Sequence, residues 1–136
     1  MNKTIMGVDV GNKGGISIMV DNEFILQKFF NMISLKKTYD EIIELIKKYK
    51  VEAVVTGKPN RMYNIVLRHA QFIGVIGMAC EEFDIPLVMV NDNTARADIL
   101  GKGNGRKKDL VHEKYQGITP DVSDSMLFVD WMNKNQ

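Results

Sequence analysis

Three aspartates sit in patterns that call for a chemical partner. Asp9 interrupts the apolar run from Ile5 to Val10, and Gly11, Gly14 and Gly15 follow it in IMGVDVGNKGG. A carboxylate on a buried strand costs several kcal/mol unless a cation or a metal compensates it. The glycines mark a strand-to-strand turn where something approaches the backbone closely. A hairpin with an acid near its tip explains the same stretch without any chemistry. Near the other end, Asp121 and Asp124 lie one turn apart in TPDVSDSMLFVDWM, so both carboxylates project from one helix face. Two carboxylates facing a third repel strongly unless hard cations lie between them. Oxygen ligands, few protein donors and retained waters suit magnesium. Two such ions activate a water and stabilise a leaving oxygen in phosphodiester cleavage. Taken alone, the pair also reads as dipole compensation in a first helical turn, worth about 0.3–1 kcal/mol.

Positive charge gathers in two places. LGKGNGRKKDLV offers the amides of Gly101, Gly103 and Gly105 beside Lys102, Arg106, Lys107 and Lys108. A loop of this kind at a helix start can cradle phosphates, although the G-x-x-x-x-G-K-[ST] spacing fails. A solvated basic loop is the alternative. Lys58, Arg61 and Arg68 form a second basic group. The formal net charge is only +1, so nucleic-acid binding must come from such local clusters and not from global charge.

The elements that must position these residues follow from periodicity. Residues 4–10, 15–20 and 23–30 read as three strands of a meander, with a turn at 21–23. A helix follows, with Leu35, Tyr39, Ile42, Ile43, Ile46 and Tyr49 at helical spacing. Residues 51–56 read as a fourth strand, 62–83 as a long helix and 85–90 as a fifth strand. The long helix carries Ile65, Phe72, Ile73, Ile76, Ala79, Cys80 and Phe83 as its apolar stripe. A short helix capped from among Asn91, Asp92, Asn93 and Thr94 comes next, then a helix over 107–115. The last helix takes Thr119 as N-cap and Pro120 at its first position, and packs through Met126, Phe128, Val129 and Trp131. The fold class is therefore α/β: a mixed five-stranded sheet, three antiparallel meander strands plus two parallel ones, with helices on both faces.

At 136 residues, 45% hydrophobic and 26% charged, the chain reads as one globular domain over 1–136. One cysteine, Cys80, excludes an intrachain disulfide, and no C-x-x-C pair supports zinc. The N-terminus has no signal-peptide pattern and no apolar run reaches about 18 residues. The expectation is a protein of the cytoplasm, bacterial or of a phage in its host, with no membrane partner.

Taken together, these residues resemble the RuvC family of Holliday junction resolvases, on the RNase H-like fold, and in particular its small phage-type members. GVDVGNKGG resembles the family's G-hydrophobic-D-x-G entry, which implies Asp9 as the first catalytic acid. GKGNGRKKDLV resembles the family's glycine loop, with Lys107 at its trailing lysine, and Arg96 falls where the family often has another basic residue. DVSDSMLF resembles the closing D-x-x-D-A motif, matching Asp121 and Asp124 to the last two carboxylates, with Ser125 at the usual alanine. The resemblance implies a dimeric, magnesium-dependent endonuclease, manganese able to substitute, that cuts branched DNA with weak or no sequence preference. DNA contacts are expected at Arg61, Arg96, Lys102, Arg106, Lys107 and Lys108.

The sequence departs from the family at the end of the fourth strand, where a glutamate is usual and VVTGKPN offers Gly57. Three carboxylates are then expected to hold the metal weakly, and Gly57→Glu to raise cleavage at low metal. A non-catalytic branched-DNA-binding protein on the same fold is the main rival. A sugar-kinase-like ATP-binding fragment is a lesser one, because that class needs two such domains. The long helix carries Ala70, Gly74 and Gly77, and each interior glycine costs about 1 kcal/mol relative to alanine. A homodimer built on that helix is expected to offset this, although close packing within one chain would explain the glycines too.

Overall fold

The first three apolar runs form the expected meander: β1 (Thr4–Asp9), β2 (Gly14–Val20) and β3 (Glu23–Phe30). Asp21 and Asn22 both take positive φ, 52° and 70°, as a two-residue hairpin turn matched to strand twist requires. The chain continues through α1 (Leu35–Tyr49), β4 (Ala53–Gly57), α2 (Tyr63–Glu82), β5 (Leu87–Val90), α3 (Asp92–Leu100), α4 (Lys107–Tyr115) and α5 (Pro120–Lys134). The structure is a computed structural model that describes residues 3–59, 63–101 and 107–135, with the backbone alone for 63–66 and 107–109.

The sheet order is β3-β2-β1-β4-β5. β1 pairs antiparallel with β2 and parallel with β4, and β4 pairs parallel with β5. The expected mixed sheet is thus observed. Two boundaries differ in a way that matters. The fourth strand starts two residues later than expected and includes Gly57, and the fifth begins at Leu87 instead of residue 85. Gly57 pairs with Val90, and the ladder continues past it as Lys58 N donates to Val90 O at 2.8 Å.

Period two along the strands separates two cores. Met6, Val8, Ile16, Ile18 and Val54 join Ile42, Ile46, Phe72 and Ile76 on the side of α1 and α2. Ile5, Met19, Val55 and Val90 join Ala95, Val111, Leu127, Phe128 and Val129 on the side of α3, α4 and α5. On α1 the buried residues are Thr38, Ile42, Leu45 and Ile46, while Leu35 lies at the exposed rim. Thr38 can be buried there because its hydroxyl donates to Ser34 O at 2.8 Å. Ser34, not singled out from the sequence, caps that helix by accepting from Lys37 N.

α5 is buried all round from Val122 to Val129. A helix wholly enclosed in this way lies between layers rather than on the surface. It packs on β1 and β2 from below and carries α3 and α4 above. Thr119 caps it, accepting from Val122 N at 3.1 Å, with Pro120 at the first position as expected.

Candidate metal centre

Asp9 shares a sheet face with Ile5 and Gly7, and this is the face α5 covers. Its orientation follows from alternation: Met6 and Val8 point into the α1/α2 core, so residues 5, 7 and 9 point the other way. A Cβ at Gly7 would meet Ser125 O and lie 2.6 Å from Val129 Cγ2. Gly15 pairs with Asp9 across β1 and β2. A Cβ there would fall 2.5 Å from both Asp121 C and Val122 N. Glycine lets α5 rest backbone to backbone on the sheet at these two points, which brings the first turn of α5 to the end of β1. What approaches the glycine turn is the protein's own last helix.

The result is a cluster of three acids. Asp9, Asp121 and Asp124 each present an oxygen within 4.8 Å of the others'. Asp124 is only 6% exposed, whereas Asp9 and Asp121 are half-buried. Such an all-oxygen donor set suits a hard divalent cation such as Mg²⁺ or Mn²⁺. Ser125, where the sequence departs from the usual alanine, is buried against β2. Its hydroxyl and that of Ser17 lie 2.9 Å apart, and Ser125 Oγ donates to Val122 O at 2.6 Å. This pair fixes the register of α5 on the sheet one residue past the acids.

A cavity of about 500 Å³ opens beside Asp9, lined also by Gly57, Lys58, His69, Asn91 and Asp92. Two of these residues carry no mark in the sequence of a place in the site. His69 sits half-buried on α2, and burial holds its imidazole below the usual histidine range while Asp92 acts in the opposite direction. No motif marks it. Its place in the cavity depends on how α2 crosses the end of the sheet. By its sequence context Asp92 is a cap candidate. Asn91 performs that task, its Oδ1 accepting from Asn93 N at 2.9 Å, and Asp92 becomes the first helical residue. A Cβ built at Gly57 would lie 2.6 Å from Asp92 Oδ1 and 2.9 Å from Phe128 Cζ.

The basic residues divide. Lys58 lines the cavity. Arg68 instead donates to Ile33 O at 2.7 Å and stacks over Phe72, 4.8 Å from the ring centroid. Arg96 packs inward with its side chain 14% exposed and Nη2 3.7 Å from Asp92 Oδ2. Lys107 and Lys108 open α4 in backbone terms. Their side chains, and Arg61, Lys102 and Arg106 entirely, lie outside the described residues. On α2, a Cβ at Gly74 would meet nothing within 4 Å, and one at Gly77 would make an ordinary 3.6 Å contact with Leu87 Cδ2. Packing within the chain therefore does not require glycine at either position.

No family model matches the sequence, and no curated protein matches it. Solved structures do match the fold. The Thermus thermophilus RuvC structure superposes with a TM-score of 0.75 at 12% identity, covering 97% of this chain and 96% of that chain. T. thermophilus RuvC in complex with Holliday junction substrate gives 0.71 at 10%, covering 98% and 96%. The Fowlpox virus resolvase, in complex with its substrate Holliday junction DNA, gives 0.57 at 14%, covering 97% and 98%. The fold is that of RuvC, an RNase H-like sheet with its flanking helices, over nearly the whole chain. Among the described residues, no helix is long and apolar enough to cross a membrane.

Proposed function

We propose that this protein is a metal-dependent endonuclease that cuts branched DNA, four-way junctions included. The observation that carries the reading is the convergence of Asp9, Asp121 and Asp124 oxygens within 4.8 Å, at the strand end where an RNase H-like fold presents its site. The RuvC-like architecture supports the substrate class, since two of its structural neighbours are complexes with Holliday junction DNA. Mg²⁺ or Mn²⁺, when bound, would activate water and neutralise charge on the scissile phosphate. Asp9, Asp121 and Asp124 would hold it. The basic residues Lys58, Lys102, Arg106, Lys107 and Lys108 would draw and seat the phosphate backbone, supplying most of the affinity in a salt-dependent way. Lys107 would also stabilise charge developing on the phosphate.

The protein would act as a homodimer along α2. Gly74 opens onto empty space, and Leu67 and Met78 on the same helix are 50% and 62% exposed. A two-fold dimer presents two identical sites to two symmetric strands.

The test is cleavage of a synthetic four-way junction against matched duplex, with and without divalent metal. We expect nicking of the junction only with Mg²⁺ or Mn²⁺. Asp9→Asn should abolish cleavage and keep or strengthen junction binding, because a negative charge facing the phosphates is removed. Junction binding with no metal-dependent cut at any concentration would leave a binding protein.

A further inference from the structure

We propose that Asp92 supplies the acid that the fourth strand lacks, acting with Asp9 as ligand to a second divalent cation. This rests on the nuclease reading above and goes beyond it, because neither the sequence pattern nor the three-acid cluster includes Asp92.

Placement comes first. β1 and β4 are parallel neighbours with Val8 opposite Thr56. Asp9 and Gly57 therefore end adjacent strands side by side, and alternation turns both toward the α5 face. A side chain starting at residue 57 would enter the cavity there. Its place is already taken: a Cβ at Gly57 would lie 2.6 Å from Asp92 Oδ1. Asp92 reaches this point from the next strand over. β5 ends at Val90, Asn91 caps α3, and Asp92 begins the helix. The Lys58 N to Val90 O bond holds the two strand ends in register at that level. A carboxylate from α3 thus occupies the space that a strand-four acid would occupy, and it lines the same cavity as Asp9.

Two other roles of Asp92 are visible. As the first residue of α3 it interacts favourably with the helix N-terminus, at about 0.3–1 kcal/mol. It also faces Arg96 one turn on, but at 3.7 Å with the Asp92 side chain 45% exposed that ion pair is weak. Neither role needs residue 57 to be glycine. The position of the Asp92 carboxylate does, because any Cβ at 57 pushes it aside. Asp92 stands outside the group whose oxygens come within 4.8 Å of one another, while Asp9 belongs to that group and also lines the cavity with Asp92. Held by Asp9 with Asp92 and by the three-acid group, two cations would supply the paired charge stabilisation that phosphodiester cleavage uses.

One consequence reverses an expectation drawn from the sequence. Gly57→Glu would not simply add a missing ligand. The new side chain and Asp92 would compete for one space, with Phe128 Cζ 2.9 Å from the new Cβ, so no gain in cleavage at low metal is expected.

The test reads Mn²⁺ directly, by electron paramagnetic resonance and calorimetric titration of the full chain without DNA. Wild type should bind about two Mn²⁺ per chain with spin coupling between them. Asp92→Asn should lose the coupling and weaken one binding class about tenfold or more, with the other class retained. Gly57→Ala should behave like Asp92→Asn, since its methyl displaces the carboxylate. Both variants should melt within a few degrees of wild type. If Asp9→Asn abolishes binding while Asp92→Asn matches wild type in stoichiometry and affinity, this proposal is overturned alone. If wild type binds no Mn²⁺, or Asp9→Asn changes nothing, the nuclease reading falls with it.

Discussion

On the side of α1 and α2, large side chains hold helices and sheet apart. Met6, Val8, Ile16 and Ile18 meet Ile42, Ile46, Phe72 and Ile76, all of them buried. On the side of α5 that spacing collapses at Gly7 and Gly15, where helix backbone meets strand backbone. The first face is a packed apolar layer, which tolerates exchange among hydrophobes of similar volume. The second is a fixed fit, in which a single methyl has nowhere to go. The acids lie on the fixed face, and aspartate side chains are too short to span a layer of leucines. A centre built from Asp9, Asp121 and Asp124 therefore requires the helix to come down onto the strand.

The sharpest challenge to this contrast is Gly15→Ala. Adding one methyl against the Asp121 backbone should destabilise by about 3 kcal/mol or more, at the upper end of overpacking costs. For a chain of this size that lowers Tm by about 10 °C. Well below the transition, where the variant is folded, junction cleavage should still fall by about 100-fold, because a displacement near 1 Å of catalytic groups costs that much. Near-normal cleavage by a folded variant would mean that the acids do not depend on this contact.

Removing far more volume from the other face should do less to the site. Phe72→Ala should cost about 3–5 kcal/mol through the cavity it leaves, as read by denaturant unfolding. Cleavage measured at low temperature on the folded variant should change by less than about threefold. A larger kinetic loss would show that the α1/α2 layer positions the acids as well.

The serine pair gives a finer measure. Ser125→Ala leaves the buried Ser17 hydroxyl without its partner and should cost about 1–3 kcal/mol, whereas Ser17→Ala with Ser125→Ala should be nearly neutral. A double-mutant cycle with no coupling would contradict the 2.9 Å contact.

The smallest expected effect belongs to the packed face. Burial pushes the Cys80 thiol from its usual 9.0 up to about 11. The native thiol keeps its proton while the unfolded chain releases it, so this group's contribution to stability falls as pH rises between those values. At pH 8 a thiol reagent should label Cys80 only as the protein unfolds. Rapid labelling of the native protein would show that α2 opens locally.

Much of this protein could be read directly from its residues. Asp21 and Asn22 announced the hairpin, Thr119-Pro120 announced the start of α5, and the apolar periodicities gave the order of strands and helices, because caps, turns and period are local properties of the chain. Asp9 stood out for the same reason, an acid inside an apolar run, whereas Asp121 and Asp124 alone fit the first turn of a helix and gained meaning only with the rest of the pattern. The glycines were visible but not what they made room for. Gly15 read as part of a turn, and only the packing of residue 121 against residue 15 showed that α5 rests on it. Asp92 was less legible still. It read as a cap because its neighbours in sequence are Asn91 and Asn93, while its closest meaningful neighbour is Gly57, thirty-five residues earlier. The space at residue 57 and the acid that fills it come from β4 and α3, and only the parallel pairing of β4 with β5 brings them together.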